Sequence, residues 1–185
     1  MSNLLQIKLY GCDVLKKIAE PVTELTPELR SIIEVMLDTM YENDGIGIAA
    51  PQIGLSKRII IIDYDFSKTG VKNPTILINP ELIGFDGERT SEEGCLSLPN
   101  IYAEVVRYKY IKMKYLDIEM NEKTIDVEDI FATILQHEYD HLNGVLFVEK
   151  IGALKKMTIG LKLNRLYEKG SKMLSDPVYI DSASK

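Results

Sequence analysis

The sequence predicts an α+β fold, in which central antiparallel or mixed strands pack around a helix that carries both histidines, with another helix toward each end. Three observations predict it: an apolar stripe with helical spacing comes first, short apolar or alternating stretches fill the middle, and two further helical patterns follow. No repeat or Pro/Gly/Ser linker divides the 185 residues. We therefore expect one domain over residues 1–174 and a flexible tail over 175–185.

The elements of the first half follow from capping and stop signals. Thr26-Pro27 predicts a helix start, because threonine caps a helix and proline suits its first position. Apolar residues then recur at helical spacing until Asn43-Asp44-Gly45, which is expected to end the helix. The apolar runs at 59–62 and 76–78 predict buried strands, and Asn79-Pro80 is expected to stop the second.

The second half predicts a strand, a hairpin and two helices. Residues 105–116 alternate between apolar and charged side chains, and a polar turn leads to a second alternating stretch at 124–127. A helix is predicted from about Asp129 to the stop signal Asn143-Gly144. A last helix is predicted over about 153–172, and we expect an apolar stripe to dock it on the domain: Leu154, Met157 and Leu161.

Charge and hydropathy exclude several classes of protein. The 22 Lys and Arg residues against 28 Asp and Glu residues leave a net charge of −6, which argues against a DNA-wrapping surface. No apolar run approaches the roughly 20 residues that cross a bilayer, and the start lacks the features of a secretory signal. Two cysteines cannot form a disulfide framework. We expect a cytoplasmic protein without a membrane partner.

Both histidines of the chain lie in one motif, His137-Glu138-Tyr139-Asp140-His141, within a predicted helix. Residues four apart share one face of a helix, so the two imidazoles can bind a single metal ion. Glu138 lies beside the first histidine and can accept a proton from a water molecule on that ion. A solvated, charged helix face is the weaker interpretation, because no histidine occurs anywhere else.

Two histidines leave a catalytic metal ion without the usual third protein ligand. A carboxylate or a cysteine must supply it here, since the chain has no third histidine. Cys95 lies in a polar, glycine-containing segment that we interpret as a loop, which favours a ligand over a small core residue. Cys12 has no such setting and is interpreted as structural.

Three segments resemble the signature motifs of the peptide deformylases, in order and at suitable spacing: GIGIAAPQ at 45–52, EGCLS at 93–97 and QHEYDH at 136–141. LKKIAEPV at 15–22 and INPELI at 78–83 are also similar to segments of that family, so the resemblance covers most of residues 15 to about 165. These enzymes hydrolyse the formyl group from the N-terminal methionine of new polypeptides. The resemblance implies the same reaction here, on nascent formyl-Met peptides in a bacterial-type cytoplasm.

The resemblance also implies roles for single residues. The implied metal ligands are Cys95, His137 and His141, with water in the open position. Glu138 is implied to take the proton of that water and deliver it to the leaving amine, while the Gln52 side chain and the Leu96 backbone N–H stabilise the oxyanion. One divalent ion is implied, Fe(II) as the native metal, with Zn, Ni or Co as replacements.

The segment GIGIAAPQ superficially resembles a phosphate-binding loop, but it follows a helix and lacks both the third glycine and a Lys-Ser/Thr pair. We therefore reject nucleotide binding. Approach by an extended peptide is the better interpretation, with main-chain hydrogen bonds from Ile46, Gly47 and Gly94. An apolar pocket for the methionine side chain is predicted from Ile46, Ile130 and Ile134.

The chain departs from the family pattern at three places. Tyr102 stands where many relatives have an arginine beside the downstream residues of the substrate, Ser91 replaces a larger apolar residue, and Gly11-Cys12 replaces Pro-Asp. These departures put the downstream sequence preference in doubt and leave the catalytic set unchanged. Relatives also pair the aspartate at the Asp140 position with an arginine that aligns with Arg107, which implies an anchor for the helix.

Two other functions are weighed against deformylation. A zinc peptidase of the H-E-x-x-H class would require a Glu or His as third ligand and a cleft open at both ends. A non-catalytic metal module would need neither the proton acceptor Glu138 nor the donor Gln52. We expect a monomer, with a ribosome contact through the last helix. In the segment 150–172, which contains that helix, one acid accompanies seven basic residues: Lys150, Lys155, Lys156, Lys162, Arg165, Lys169 and Lys172.

Overall fold

The computed structural model describes residues 3–181, and its elements alternate between helices and antiparallel strands. The helices are α1 (Pro27–Glu42), the short α2 (Phe66–Thr69), α3 (Asp129–Leu142) and α4 (Ala153–Gly170). The strands are β1 (Asn3–Leu5), β2 (Gly47–Ala49), β3 (Ile59–Ile62), β4 (Thr75–Asp86), β5 (Arg89–Cys95), β6 (Leu98–Arg107), β7 (Tyr110–Leu116), β8 (Glu122–Glu128) and β9 (Tyr179–Asp181). The α+β class is confirmed. None of the described helices is long and apolar enough to span a lipid bilayer.

A five-stranded antiparallel sheet in the order β2-β3-β4-β7-β8 lies between α1 and α3. The four isoleucines of β3 show why, because successive side chains point to opposite faces of a strand. Ile60 and Ile62 pack in the cluster that contains Leu135 of α3, whereas Ile59 and Ile61 pack with Met36 of α1. All four are buried, so the predicted strand with two buried faces is confirmed.

A separate two-stranded sheet, the hairpin of β5 and β6, carries the second motif and supports α4. Its inward residues Ile101, Ala103 and Val105 form an apolar cluster with Phe147, and α4 adds three partly buried side chains to it. These are Ile159, Leu163 and Leu166. The expected docking stripe of α4 is therefore wrong: Leu154, Met157 and Leu161 are 77–79% exposed.

The rotation of α4 is set by close backbone approaches rather than by its apolar spacing alone. A Cβ atom on Gly170 would lie 2.2 Å from the carbonyl oxygen of Tyr10, so only glycine allows this contact. At Gly11, where φ is +105°, a Cβ would lie 2.5 Å from the carbonyl oxygen of Tyr167. Two apolar stripes at helical spacing compete on α4, and these contacts select the one that contains Leu163.

Two strand boundaries also differ from the sequence prediction. β4 continues through Asn79-Pro80, and its pairing with β7 shifts register there. The shift is possible because Asn79 adopts a φ of +49° and its side chain bonds both the N–H and the C=O of Val22 at 2.8 Å. The alternating stretch at 105–116 is broken after Arg107, where β6 leaves the hairpin and β7 enters the larger sheet. The predicted hairpin that β7 forms with β8 is confirmed.

The C-terminal segment differs from the expected flexible tail over 175–185. β9 pairs antiparallel with β1, with Ile180 opposite Leu4. Leu4 is buried, so the pairing covers part of the core, and the N–H of Gln6 extends it with a 2.8 Å bond to the carbonyl of Val178. A three-residue strand has too little pattern to be recognised in sequence. Residues 182–185, the rest of the expected tail, lie outside the described residues.

Candidate active site

Helix α3 presents both histidines on one side, one turn apart. His137 and His141 are 8% and 1% exposed, and their ring centroids are 5.1 Å apart. Burial lowers the pKa of His141, which keeps its imidazole neutral. Burial also opposes a charge on His137, but the neighbouring Cys95 and Glu93 outweigh it and raise the pKa of that imidazole.

Cys95 lies at the end of β5, not in the expected polar loop. β5 turns directly into β6 there, and Cys95 is paired with Leu98. This tight connection brings the Cys95 Sγ to 3.3 Å from His141 Nε2. Cys95, His137 and His141 each offer one ligand atom, and these atoms all lie within 4.8 Å of one another. A thiolate and two imidazoles at such distances suit a tetrahedral metal ion with one open position.

Glu138 lies beside this group with a carboxylate that is almost fully enclosed. It is 4% exposed, and its Oε2 has no hydrogen-bond partner among the described residues. Burial raises the pKa of Glu138 to about 7. Strand β2 closes over it, since a Cβ atom on Gly47 would lie 2.8 Å from Glu138 Oε1. An unpartnered buried carboxylate oxygen is costly for stability, and therefore indicates a group kept for binding or chemistry.

Gln52 approaches the group from a one-turn 3-10 helix at Ala50–Ile53. Its side chain is buried, and its Oε1 accepts a 2.7 Å hydrogen bond from the N–H of Ala49. This bond orients the amide, so that Nε2 points to Cys95 Sγ at 3.4 Å and Ser97 Oγ at 3.5 Å. Gln52 thus offers its N–H donors to the cavity side of the cysteine.

A buried ion cluster links the hairpin to α3. Arg107 is 4% exposed and donates to both oxygens of Glu93, at 2.7 and 2.9 Å, and to Asp140. Glu93 in turn lies 2.8 Å from His137 Nδ1, which leaves Nε2 free to face the Cys95 thiol. Burial opposes the charge of Glu93, but hydrogen bonds from Arg107 and His137 lower its pKa to about 2. The expected pairing of Asp140 with Arg107 is present, and Lys150 adds a contact to Asp140 at 2.9 Å.

Sequence reasoning missed Glu93, which has no role there beyond its place in the segment EGCLS at 93–97. The alternation along β6 is a signal that could have found it. Arg107 continues the alternating positions that point inward, after Ala103 and Val105. A buried arginine requires an acid partner, and Glu93 lies on the neighbouring strand. The sequence offers no means of choosing between Glu93 and other acids without the strand register.

A cavity of about 540 Å³ opens above these residues. All six predicted substrate-contacting residues line it: Ile46, Gly47, Gly94, Tyr102, Ile130 and Ile134. It lies between β2, an edge strand of the large sheet, and β5, which pairs with β6. Within residues 3–181, each of these two strands has one edge without a strand partner, which is the setting for addition of an extended peptide. A side chain at position 94 would have no room, since a Cβ there would lie 2.7 Å from the Tyr102 ring.

Comparison with known proteins decides the family. The model of the polypeptide deformylase family matches residues 4–157. The chain belongs to this family. It is 45% identical over 153 residues to the peptide deformylase of Agathobacter rectalis, an alignment that covers 82% of this chain and 93% of that relative. The chain is therefore a metal-dependent hydrolase of the deformylase type, which removes N-formyl groups from new polypeptides.

Solved structures agree with this assignment. The crystal structure of a peptide deformylase from Legionella pneumophila superimposes with a TM-score of 0.82 at 38% identity, covering 92% of this chain and 99% of that one. A second, from Synechococcus elongatus, gives a TM-score of 0.78 at 36% identity over 93% and 91% of the two chains. The Synechococcus enzyme was crystallised in complex with actinonin.

The buried ion cluster yields a stability prediction. Arg107→Met leaves the Glu93 carboxylate buried without the two N–H donors of the guanidinium, so the free energy of unfolding should fall by about 3–5 kcal/mol. Urea unfolding of the purified protein measures it. The control is Arg30→Met, which removes a 3.7 Å surface pair with Glu119 and should cost less than about 1 kcal/mol. Equal losses in the two variants would contradict the role given to the cluster.

Proposed function

We propose that this chain deformylates the N-terminal formyl-Met of nascent polypeptides, acting as a cytoplasmic monomer with one catalytic domain, and that this domain extends past the expected boundary at 174 to include β9 (Tyr179–Asp181), which pairs with β1. The observation that carries the proposal is the convergence of Cys95, His137 and His141 beside the buried, unpartnered Glu138 carboxylate. Cys95, His137 and Glu138 line a cavity that lies between β2 and β5. A formyl group is small enough to enter such a site, whereas a peptide cut internally would need room on both sides.

Cys95, His137 and His141 fit a divalent metal ion and would hold it. The bound ion supplies Lewis acidity, which lowers the pKa of water and polarises the formyl carbonyl. A thiolate with two imidazoles suits several ions, and we infer Fe(II) as the native one, with Zn, Ni or Co as replacements. Metal analysis after anaerobic purification, with turnover measured for each ion, checks this. Activity that is lost in air and retained with nickel is the expected pattern.

Glu138 moves the protons of the reaction. Its carboxylate accepts a proton from the attacking water and then gives it to the amine that leaves when the formyl C–N bond breaks. Burial raises the pKa of Glu138 to about 7, so the group can serve both steps near neutral pH. Glu93 and Arg107 hold His137, and hence the neighbouring turn of α3, in a constant orientation.

The developing oxyanion needs hydrogen-bond donors where the formyl oxygen lies. Gln52 is suited to this, because the Ala49 N–H engages its Oε1 and turns its Nε2 to the Cys95 side of the cavity. The Leu96 backbone N–H follows Cys95 directly and is the second donor. Leu96 itself lines the cavity and is half-buried.

The peptide chain lies extended between β2 and β5. Ile46, Gly47 and Gly94 exchange main-chain hydrogen bonds with it, and the absence of side chains at the two glycines allows close approach. The methionine side chain enters the apolar part of the cavity. Ile46, Ile130 and Ile134 line that part, and Ile46 and Ile130 remain half-buried without substrate.

The role of Glu138 is tested by Glu138→Gln. Turnover of a formyl-Met peptide should fall by at least about 100-fold with unchanged metal content, because the amide keeps the shape of the side chain and cannot accept the proton. The matched control is Glu128→Gln, the same change on an exposed residue that precedes α3. Near-normal turnover in Glu138→Gln would overturn the role.

Asp140 is proposed to hold the metal site together through Arg107. Asp140→Asn removes one charge from the cluster and should weaken metal retention by about 10–100-fold, measured by competition with a chelator. Asp129→Asn is the control, since Asp129 lies on the same helix and forms an exposed pair with Arg89 at 3.1 Å. If both variants retain the metal as the parent does, Asp140 is only a surface acid.

We also infer a ribosome contact through α4. The helix packs on the hairpin with Ile159, Leu163 and Leu166, so its other sides face outward. Those sides carry the exposed apolar stripe described above and five exposed basic residues: Lys155, Lys156, Lys162, Arg165 and Lys169. Exposed cations around apolar side chains suit a surface of RNA and protein, and the reaction concerns chains that are leaving the ribosome.

The contact is tested by charge reversal within the full chain, because truncation before α4 would also remove β9 and its pairing with β1. Lys155→Glu, Lys162→Glu and Lys169→Glu together should abolish salt-sensitive co-sedimentation with ribosomes. Turnover of short formyl-Met peptides should persist. The control reverses three lysines of the β7–β8 hairpin, Lys112, Lys114 and Lys123. Equal co-sedimentation of both triple variants would contradict the contact.

A further inference from the structure

We propose that Lys8 is a positioning residue for the oxyanion donor Gln52, because the stem of its buried side chain braces the end of the short helix that carries Gln52. The proposal rests on the role proposed above for Gln52 and concerns the same reaction. Lys8 is not among the residues that line the cavity, so it acts on the reaction through Gln52 and not by contact with substrate.

Residues 6–10 form a strap between the two places that carry the oxyanion donors. The N–H of Lys8 donates a 2.7 Å hydrogen bond to the carbonyl of Gln52. The N–H of Tyr10 donates a 2.9 Å hydrogen bond to the carbonyl of Ser97, next to the second donor in the turn that joins β5 to β6. Because one short stretch of chain bonds both places, it fixes the distance between them.

The side chain of Lys8 makes a second contact with the 3-10 helix at Ala50–Ile53. Gly54 directly follows this helix, and a Cβ atom on Gly54 would lie 2.7 Å from Lys8 Cε. Lys8 is fully buried, so its stem fills the space beside the end of the helix. Displacing the helix would open a void there, which is unfavourable. Because the helix has a single turn, movement of its end would move Gln52, which lies two residues before Gly54.

The chain that follows α4 encloses this contact from the other side. A Cβ atom on Gly54 would lie 2.5 Å from the carbonyl oxygen of Ser175, which places the C-terminal segment at the same point as the Lys8 stem. The strap is also bonded to that segment, since the N–H of Leu9 donates to Met173 Sδ at 3.4 Å. Lys8 therefore lies between the helix that carries Gln52 and the C-terminal segment, and cannot turn away from the helix without moving one of them.

The stem of Lys8, and not its charge, carries the positioning role. The Nζ atom is buried and has no hydrogen-bond partner among the described residues. An enclosed ammonium group without such a partner opposes folding, so it does not hold the helix in place. A neutral side chain that reaches as far as Cε should therefore position Gln52 as Lys8 does.

The experiment compares two neutral variants of nearly equal volume in the full chain. Lys8→Met keeps an unbranched stem that includes Cε, whereas Lys8→Leu ends at Cδ. Lys8→Leu should lower kcat on a formyl-Met peptide about fivefold with an unchanged KM, since an oxyanion donor acts only in the transition state. Lys8→Met should stay within about twofold of the parent. Metal content per chain, measured on the same samples, should not change.

A double-mutant cycle tests the route through Gln52. Gln52→Ala should lower kcat about 100-fold by itself. Adding Lys8→Leu should then lower kcat by less than about twofold further, because the donor that Lys8 positions is gone, whereas a general structural effect would be equal in both backgrounds. Ile33→Ala is the stability control, since it removes buried atoms of α1 outside the cavity. It should lower the urea midpoint and keep the parent kcat.

The outcomes separate this inference from the functions on which it rests. Equal kcat in Lys8→Leu and Lys8→Met, or a fivefold loss that persists in the Gln52→Ala background, overturns the positioning role and leaves the deformylase function intact. Unchanged kcat in Gln52→Ala overturns the role proposed for Gln52 and this inference with it. Absence of turnover of formylated peptides by the metal-loaded parent would overturn the proposed function as a whole.

Discussion

The ion pair between Arg107 and Glu93 is the interaction on which the site depends. It joins β6 to β5 within the hairpin and, through His137 and Asp140, joins that hairpin to α3. Among residues 3–181 the hairpin shares no strand pairing with the large sheet, so side-chain contacts help to set its position relative to the helix. A buried pair of this kind is costly to desolvate and becomes favourable only when every polar atom is satisfied. Here the satisfied network places Cys95 against the two imidazoles of α3.

The same arrangement leaves one polar group unsatisfied at the point of chemistry. Glu138 Oε2 is buried and has no partner among the described residues, although every polar atom of Arg107 that faces Glu93 is paired. Rigid support thus surrounds a centre that is left free to bind. Gly47 completes this centre. Because Gly47 has no side chain, the edge of β2 can lie next to the Glu138 carboxylate, and a peptide backbone can approach that carboxylate along β2.

Charge is divided unevenly over the molecule. The cavity rim and the hairpin carry acids, whereas α4 carries most of the basic residues of the C-terminal part. α4 packs on the hairpin that forms one wall of the cavity. The acidic and the basic surfaces therefore belong to one structural unit.

The sequence by itself determined the helices α1 and α3, the buried strand β3, the metal-binding group and the residues around the cavity. Each has strong local signals: caps, a complete helical period, a run of isoleucines, or a motif such as His137-Glu138. What depends on distant contacts was decided by the tertiary structure. The rotation of α4 follows from two glycine contacts, the course of β4 from the Asn79 bonds to Val22, and β9 from its partner strand. Glu93 could not be chosen as the partner of Arg107 without the strand register, because sequence spacing says nothing about which residues lie opposite each other across a hairpin.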